Sequence, residues 1–325
     1  MERLNKDIKE HNFRHFYLLY GDEAYLRLKY KDSLVKGIIG EDTMNYSYFE
    51  GKDIDINAVI DLAETMPFFA ERRLIVIENS GLLKEGGERL ADYLSGMPDY
   101  LYIVMSEYET DMRSKLSKVC KNIGTCVEMK PYEGYQMKMW VASKLKKAGK
   151  KMTENDIEYL LKTAGSDMTM LNNEIDKLIN YAAEREIVTA KDVDLLVTRQ
   201  IDNNIFDMIS AIGNRNQRVA LDIYYDMLTL REAPAKILSL IARQYNLLLQ
   251  TKELISLRET DKVIASKIGV PPFFVKEYTS QARLYSQDEL KKAFEKCVIA
   301  NEDIRIGKLK DVLAVELLII ELSHK

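Results

Sequence analysis

Between residues 16 and 129, short apolar runs rich in β-branched and aromatic residues alternate with stretches whose apolar positions recur every three or four residues. Runs of the first kind suit strands buried on both faces, and stretches of the second kind suit amphipathic helices. The alternation therefore predicts a parallel sheet joined by crossover helices. The expected strands cover 16–20, 46–50, 73–77, 100–105 and 124–129, and the helices between them cover 24–38, 55–65, 84–94 and 112–122. From about Tyr135 onward the β-branched runs stop while the helical spacing continues, so the remainder is expected to be helical throughout. Thr153 with Asp156, and Thr189 with Asp192, have the spacing of a capping box with Asp in place of the usual Glu, and mark helix starts. The stretch 198–204 is polar and lies between two helical patterns, which sets a second boundary. The expected division is an α/β domain over 1–134, a small helical domain over 135–200 and a larger all-α domain over 201–325.

Composition narrows the class without changing this picture. A chain of 325 residues exceeds one ordinary core, and 46% hydrophobic with 30% charged residues excludes disordered and fibrous proteins. The first fifteen residues, MERLNKDIKEHNFRH, hold no apolar run of signal-peptide length, so a cytoplasmic protein is expected. The longest apolar stretch, VLAVELLII, is interrupted by Glu316 and is too short to span a membrane. Cys120, Cys126 and Cys297 form no pairing pattern and read as free thiols. His11, His15 and His324 lie in the terminal segments and supply no ligands near the cysteines, so neither a metal nor a cofactor is expected. A formal charge of -4 gives no bulk attraction to nucleic acid.

The segment FYLLYGDEAYLRLKY stands where a nucleotide-binding domain of this layout carries its phosphate loop, between the first strand and the first helix of the sheet. A working loop, GxxxxGK[ST], offers glycine amides to phosphate, a Lys to the β/γ oxygens and a hydroxyl to magnesium. Here Gly21 is followed by Asp22, Glu23 and Ala24, with no Lys and no hydroxyl. The two acids place negative charge where a helix N-terminus would otherwise attract an anion, so the loop is expected to be non-functional. After the third strand comes Glu78-Asn79, where hydrolytic ATPases carry paired acids.

With these residues in view the chain resembles the delta subunits of bacterial clamp loaders, a branch of the AAA+ group that has lost ATP binding. The resemblance is carried by YLLYGDEAYL, MPFFAERRLIVIEN, NNEIDKLINYA, NIFDMISAIGNR, ILSLIARQYNLLL, IGVPPFFVK and IGKLKDVLAVELLIIEL, in that order along nearly the whole chain. It implies a degenerate AAA+ sheet domain that touches the sliding clamp, a linking lid-like domain, and a helical collar domain. It also implies as partners the beta sliding clamp, the gamma/tau and delta-prime loader subunits, and primer-template DNA within the complex, with no membrane association. It implies no catalytic site, because ATP is hydrolysed by the gamma/tau subunits.

The same resemblance assigns the clamp contact to Met66, Pro67, Phe68 and Phe69, with Phe68 and Phe69 as the wedge, Met66 in support and Pro67 ending the preceding helix. Aromatic anchors suit the task, since they dominate interface energy at little entropic cost. The alternative from residue type alone is packing of both rings between helix and sheet. Arg72 and Arg73 are expected either on acidic clamp surface or as solvated charges flanking a strand.

In the helical part, Ile237, Leu240, Ile241, Tyr245 and Leu248 read as core, with Arg243 and Gln244 as a polar edge. Asp303, Arg305 and Lys308 precede an apolar helix over 309–322 and read first as a solvated face. Lys144, Lys146, Lys147, Lys150 and Lys151 suit a helix C-terminus, with phosphate contact second. Competing functions are an active AAA+ ATPase, opposed by the missing GK[ST]; a DNA-binding protein with its reading helix in 262–276, opposed by Pro271 and Pro272; and a hydrolase, opposed by the lack of any nucleophile signature near a histidine.

Overall fold

The computed structural model describes residues 1–198 and 201–324 and divides into two compact units, Met1–Pro131 and Tyr132–Lys325. The first unit holds β1 (Phe16–Tyr20), β2 (Tyr46–Glu50), β3 (Arg73–Glu78), β4 (Leu101–Glu107) and β5 (Thr125–Glu128). These pair in the order β2-β3-β4-β1-β5, all in parallel. Parallel neighbours need crossover connections, and α2 (Ala24–Ile39), α3 (Ile56–Glu64), α4 (Glu88–Leu94) and α5 (Lys115–Ile123) supply them. Both faces of the sheet are covered, which is why its central strands are apolar runs: Leu18, Leu19, Ile75, Val76, Ile103 and Val104 are all buried. Because β1 lies between β4 and β5, the loop after it opens at the carboxyl edge of an interior strand, where sheets of this kind bind ligands.

Strands β1 and β2 have the expected bounds, and the others shift by one or two residues. The helix expected over 84–94 begins only at Glu88, because the Lys84 and Glu85 amides turn back onto the Gly81 carbonyl at 2.8 and 3.2 Å. A helix not foreseen, α1 (Glu2–Glu10), precedes the sheet. It buries Leu4 and Asp7, and Asp7 accepts a hydrogen bond from the buried Tyr17 hydroxyl at 2.9 Å. Its apolar stripe is only Leu4 and the half-buried Ile8, four residues apart in a charged segment.

The second unit is helical: α6 (Tyr135–Lys147), α7 (Glu154–Ala164), α8 (Met168–Ala182), α9 (Ala190–Leu196), α10 (Ile201–Gly213), α11 (Gln217–Thr229), α12 (Pro234–Ser256), α13 (Asp261–Ile268), α14 (Val275–Arg283), α15 (Gln287–Arg305) and α16 (Asp311–Ser323). Both Asp-type caps form. Thr153 Oγ1 accepts the Asp156 amide at 3.2 Å, and Asp192 accepts the Thr189 amide at 2.8 Å in a reciprocal box. A short turn over Pro272–Phe274 separates α13 from α14, so no helix runs through Pro271 and Pro272.

The polar stretch 198–204, read as the second boundary, overlaps the start of α10 at Ile201; Arg199 and Gln200 lie outside the described residues. Asn203 on its first turn donates to the carbonyls of Lys162 and Thr163 at 2.6 and 3.0 Å, serving the free carbonyls at the end of α7. Polar residues here make a joint, beside a cavity of about 530 Å³ lined by Lys162, Asp202, Arg243 and Tyr278. Gln244, expected at a polar edge, is buried. Its amide donates to Gln281 at 2.6 Å, and Gln281 donates to the Phe206 carbonyl at 2.7 Å and to Ser210 at 2.5 Å, so the buried amides are satisfied inside the helical core.

Candidate protein-docking site

The loop between α3 and β3 carries the aromatic pair. Helix α3 stops at Glu64, before Pro67, with Thr65 Oγ1 bonded to the Asp61 carbonyl at 2.9 Å and the Tyr100 hydroxyl bonded to the Glu64 carbonyl at 3.0 Å. Met66 is 75% exposed, Phe68 58% and Phe69 95%. The two rings meet edge to face, with centroids 4.5 Å apart. Phe69 has φ of 49°, the left-handed region, which costs a bulky residue roughly 1–2 kcal/mol. The rings thus stand in solvent on a strained backbone and do not pack between helix and sheet.

What holds that backbone is polar and mostly buried. Asn45, fully buried at the entry to β2, accepts the Phe68 amide through Oδ1 at 2.6 Å and donates through Nδ2 to the Phe68 carbonyl at 3.0 Å. The same Nδ2 donates to Asp42 Oδ2 at 2.7 Å, while Asp42 Oδ1 accepts the Met44 and Asn45 amides at 2.9 and 3.2 Å. These bonds hold the Asp42 carboxyl below its ordinary range, the Asn45 side chain contributing most. Asn45 is itself anchored, since its carbonyl accepts the Leu74 amide of β3 at 2.9 Å.

Arg73, expected on a clamp surface or as a solvated charge, is only 6% exposed and donates to the Met66 carbonyl at 3.3 Å. Arg72 lies over the Tyr102 ring at 5.4 Å and reaches the Ile38 carbonyl at 3.4 Å. Asn45 and Asp42 were missed in the sequence. Their signal is the Asp-x-x-Asn spacing directly before a strand, which suits a side-chain-stabilised turn.

At the sheet's carboxyl edge, two backbone amides of the loop Gly21-Asp22-Glu23-Ala24 are bonded within the chain. The Gly21 amide bonds the Glu107 carbonyl at 3.2 Å and the Glu23 amide bonds the Met129 carbonyl at 3.0 Å. Glu23 is the N-cap of α2, its carboxylate accepting the Tyr25 amide at 3.0 Å, and Arg27 donates to the Gly21 carbonyl. The place an anion would take at this helix N-terminus is held by the chain's own carboxylate. Glu78, at the end of β3, accepts from Lys31 at 3.0 Å and from the Tyr48 hydroxyl at 2.8 Å, and Asn79 follows it.

The lysine cluster disperses. Lys144 pairs with Asp176 at 2.7 Å, Lys151 pairs with Glu186 at 2.7 Å, and the buried Lys150 donates to the Arg185 carbonyl at 2.9 Å; Lys146 and Lys147 are exposed. Lys308 pairs with Asp303 at 3.0 Å, closing the turn after α15. Cys120 and Cys297 are buried and Cys126 half-buried, all unbridged, and burial pushes the Cys297 thiol up to about 12. Among the described residues no group of His, Cys, Asp and Glu is placed to hold a metal ion, and no helix is long and apolar enough to cross a membrane.

Two family models match the chain: "DNA polymerase III, delta subunit" over residues 17–130, and "DNA polymerase III delta subunit, C-terminal domain" over residues 202–322. The DNA polymerase III subunit delta of Bacillus subtilis (strain 168) is 31% identical over 98% of this chain and 96% of its own length. A probable DNA polymerase III subunit delta of Aquifex aeolicus (strain VF5) is 26% identical over 85% of this chain and 81% of its own. The solved structure of the Bacillus subtilis DNA clamp loader delta protein superposes with a TM-score of 0.74 at 30% identity, covering 100% of this chain and 99% of that one.

Proposed function

This chain belongs to the DNA polymerase III delta-subunit family, and from that premise we propose that it is the clamp-gripping subunit of a clamp loader, without catalysis of its own. The observation that carries the reading is the adjacent pair Phe68 and Phe69, exposed together on a loop whose backbone is held from beneath. Two large apolar side chains standing in water are a cost to an isolated chain and a gain to one that fills a partner's apolar pocket with them.

In the proposed cycle the pair enters a hydrophobic pocket on the beta sliding clamp, with Met66 alongside and Pro67 stiffening the approach. The ring is a closed assembly that opens at one interface, and a bound protein shifts that equilibrium only by its preference between the two forms. The chain must therefore bind the open ring more tightly than the closed one. The sheet domain (1–134) makes this contact, residues 135–200 link, and the helical domain (201–325) joins a collar with the gamma/tau and delta-prime subunits around primer-template DNA. Nucleotide hydrolysis belongs to those partners, and the work is done in the cytoplasm. Support for a subunit without nucleotide comes from the loop at Gly21, whose Gly21 and Glu23 amides are bonded inside the chain and whose helix N-terminus is capped by Glu23.

The test is a titration of the purified chain against the sliding clamp of its own organism. Phe68→Ala/Phe69→Ala is expected to weaken binding by about 2 kcal/mol or more, roughly thirtyfold. Equal binding by both forms would refute the site, and no binding by either would refute the clamp-contacting role.

A further inference from the structure

The aromatic pair lies on a loop of eight residues, Thr65 to Arg72, with the strained Phe69 in its middle. A loop of that length with exposed rings would ordinarily sample many conformations, and docking would have to select one of them. Here one buried side chain fixes the backbone at the first phenylalanine. The Asn45 amide group meets both polar atoms of Phe68, accepting its N–H at 2.6 Å and donating to its C=O at 3.0 Å. An amide side chain is among the few that offer an acceptor and a donor side by side, as this pairing requires.

Neither of Asn45's own ends is loose. Its carbonyl is bonded to the Leu74 amide at 2.9 Å and its Nδ2 to Asp42 at 2.7 Å, so the pairing is referred to the sheet through β3. Arg73 adds a second hold, donating to the Met66 carbonyl at 3.3 Å. The bonded atoms are backbone, so the pairing leaves the rings themselves free for a partner.

We infer that Asn45 is a positioning residue that pre-sets the Phe68–Phe69 pair for docking, touching no partner itself. The inference rests on the reading of that pair as the clamp contact. Holding a binding loop in its bound form raises affinity by lowering the ordering cost, so the effect of Asn45 must pass through the two rings.

The experiment is a double-mutant cycle on the full chain, read by clamp affinity and by amide hydrogen exchange of the free protein. Asn45→Ala is expected to weaken clamp binding about tenfold when both phenylalanines are present, and less than about twofold in the Phe68→Ala/Phe69→Ala background. In the free chain it is expected to speed exchange of the Phe68 amide while the β3 and β4 amides keep their protection. If Asn45→Ala does not fold, Asp42→Ala, a milder change at the carboxylate that orients Asn45, is expected to follow the same pattern to a smaller extent.

An equal loss of affinity in both backgrounds would overturn the inference, because Asn45 would then act elsewhere. So would unchanged affinity, or unchanged Phe68 exchange. A different failure, in which the phenylalanines themselves prove indifferent to binding while Phe68 exchange still depends on Asn45, would refute the clamp-contact reading and leave Asn45 holding a loop of another purpose.

Discussion

At the level of single residues, several side chains look misplaced until their partners are considered. Phe68 and Phe69 stand in solvent while Asn45 and Arg73 are buried, an inversion of the usual sorting by polarity. Since the rings bury little, Phe68→Ala/Phe69→Ala is expected to change folding stability by no more than about 0.5 kcal/mol in a urea titration. A large loss there would mean that the rings pack against the chain.

Asp42 adds a dependence on pH. Its folded-state carboxyl is depressed chiefly by the hydrogen bond from Asn45, helped by nearby backbone amides and Arg73 and opposed by partial desolvation. A depressed carboxyl contributes stability that is complete above its unfolded value of about 4 and is lost as pH falls through the lower folded value. The Asn45 side-chain amide signal is therefore expected to be constant from neutral pH down to about 5 and to shift at lower pH, and to lose that shift in Asp42→Asn. The aromatic pair was singled out in the sequence through the resemblance, and the structure adds its exposure. Its supports were not, because Asn45 lies 23 residues before Phe68 and only the pairing of β2 with β3 brings the two together.

Elements are where the sequence was most informative, and the reasons differ from one to the next. Strands β1 and β3 announce themselves because both faces of a parallel sheet are buried, giving runs such as FYLLY and RLIVIE. Helices α7 and α9 announce themselves by caps at Thr153 and Thr189. Helix α1 does not, because its apolar stripe is only Leu4 and Ile8 and its buried Asp7–Tyr17 bond is encoded by no local pattern. The start of α4 was misplaced because the turn at Gly81 is closed by tertiary contacts: Glu107, on β4, accepts the Ser80 amide at 2.9 Å and the Gly81 amide at 3.2 Å.

The junction of β1 with α2 is tightly constrained at its glycine and at its cap. Gly21 has φ of 120°, and a Cβ added there would stand 2.7 Å from the Met129 carbonyl oxygen, so Gly21→Ala is expected to cost about 1–3 kcal/mol in denaturant titration. Glu23→Ala removes the cap of α2 and is expected to cost about 0.5–2 kcal/mol. Removing that carboxylate does not supply the missing Lys and hydroxyl, so calorimetry with a nucleoside triphosphate is expected to give no binding by either form; binding by the wild type would overturn the reading of the loop.

For the molecule as a whole, the two units differ in what they expose and what they bury. The sheet unit exposes Phe68 and Phe69, and the helical unit buries Gln244 paired with Gln281. Nothing in the net charge of -4 advertises a protein of DNA replication. The proposed role rests instead on the exposed pair Phe68 and Phe69, which a partner's apolar pocket would accommodate. The most direct test is release of a sliding clamp already closed around circular DNA, by the purified chain with no nucleotide present. The account predicts release by the wild type, little or none by Phe68→Ala/Phe69→Ala, and an intermediate rate by Asn45→Ala. Release that requires a nucleotide bound by this chain, or that proceeds equally without the two phenylalanines, would contradict it.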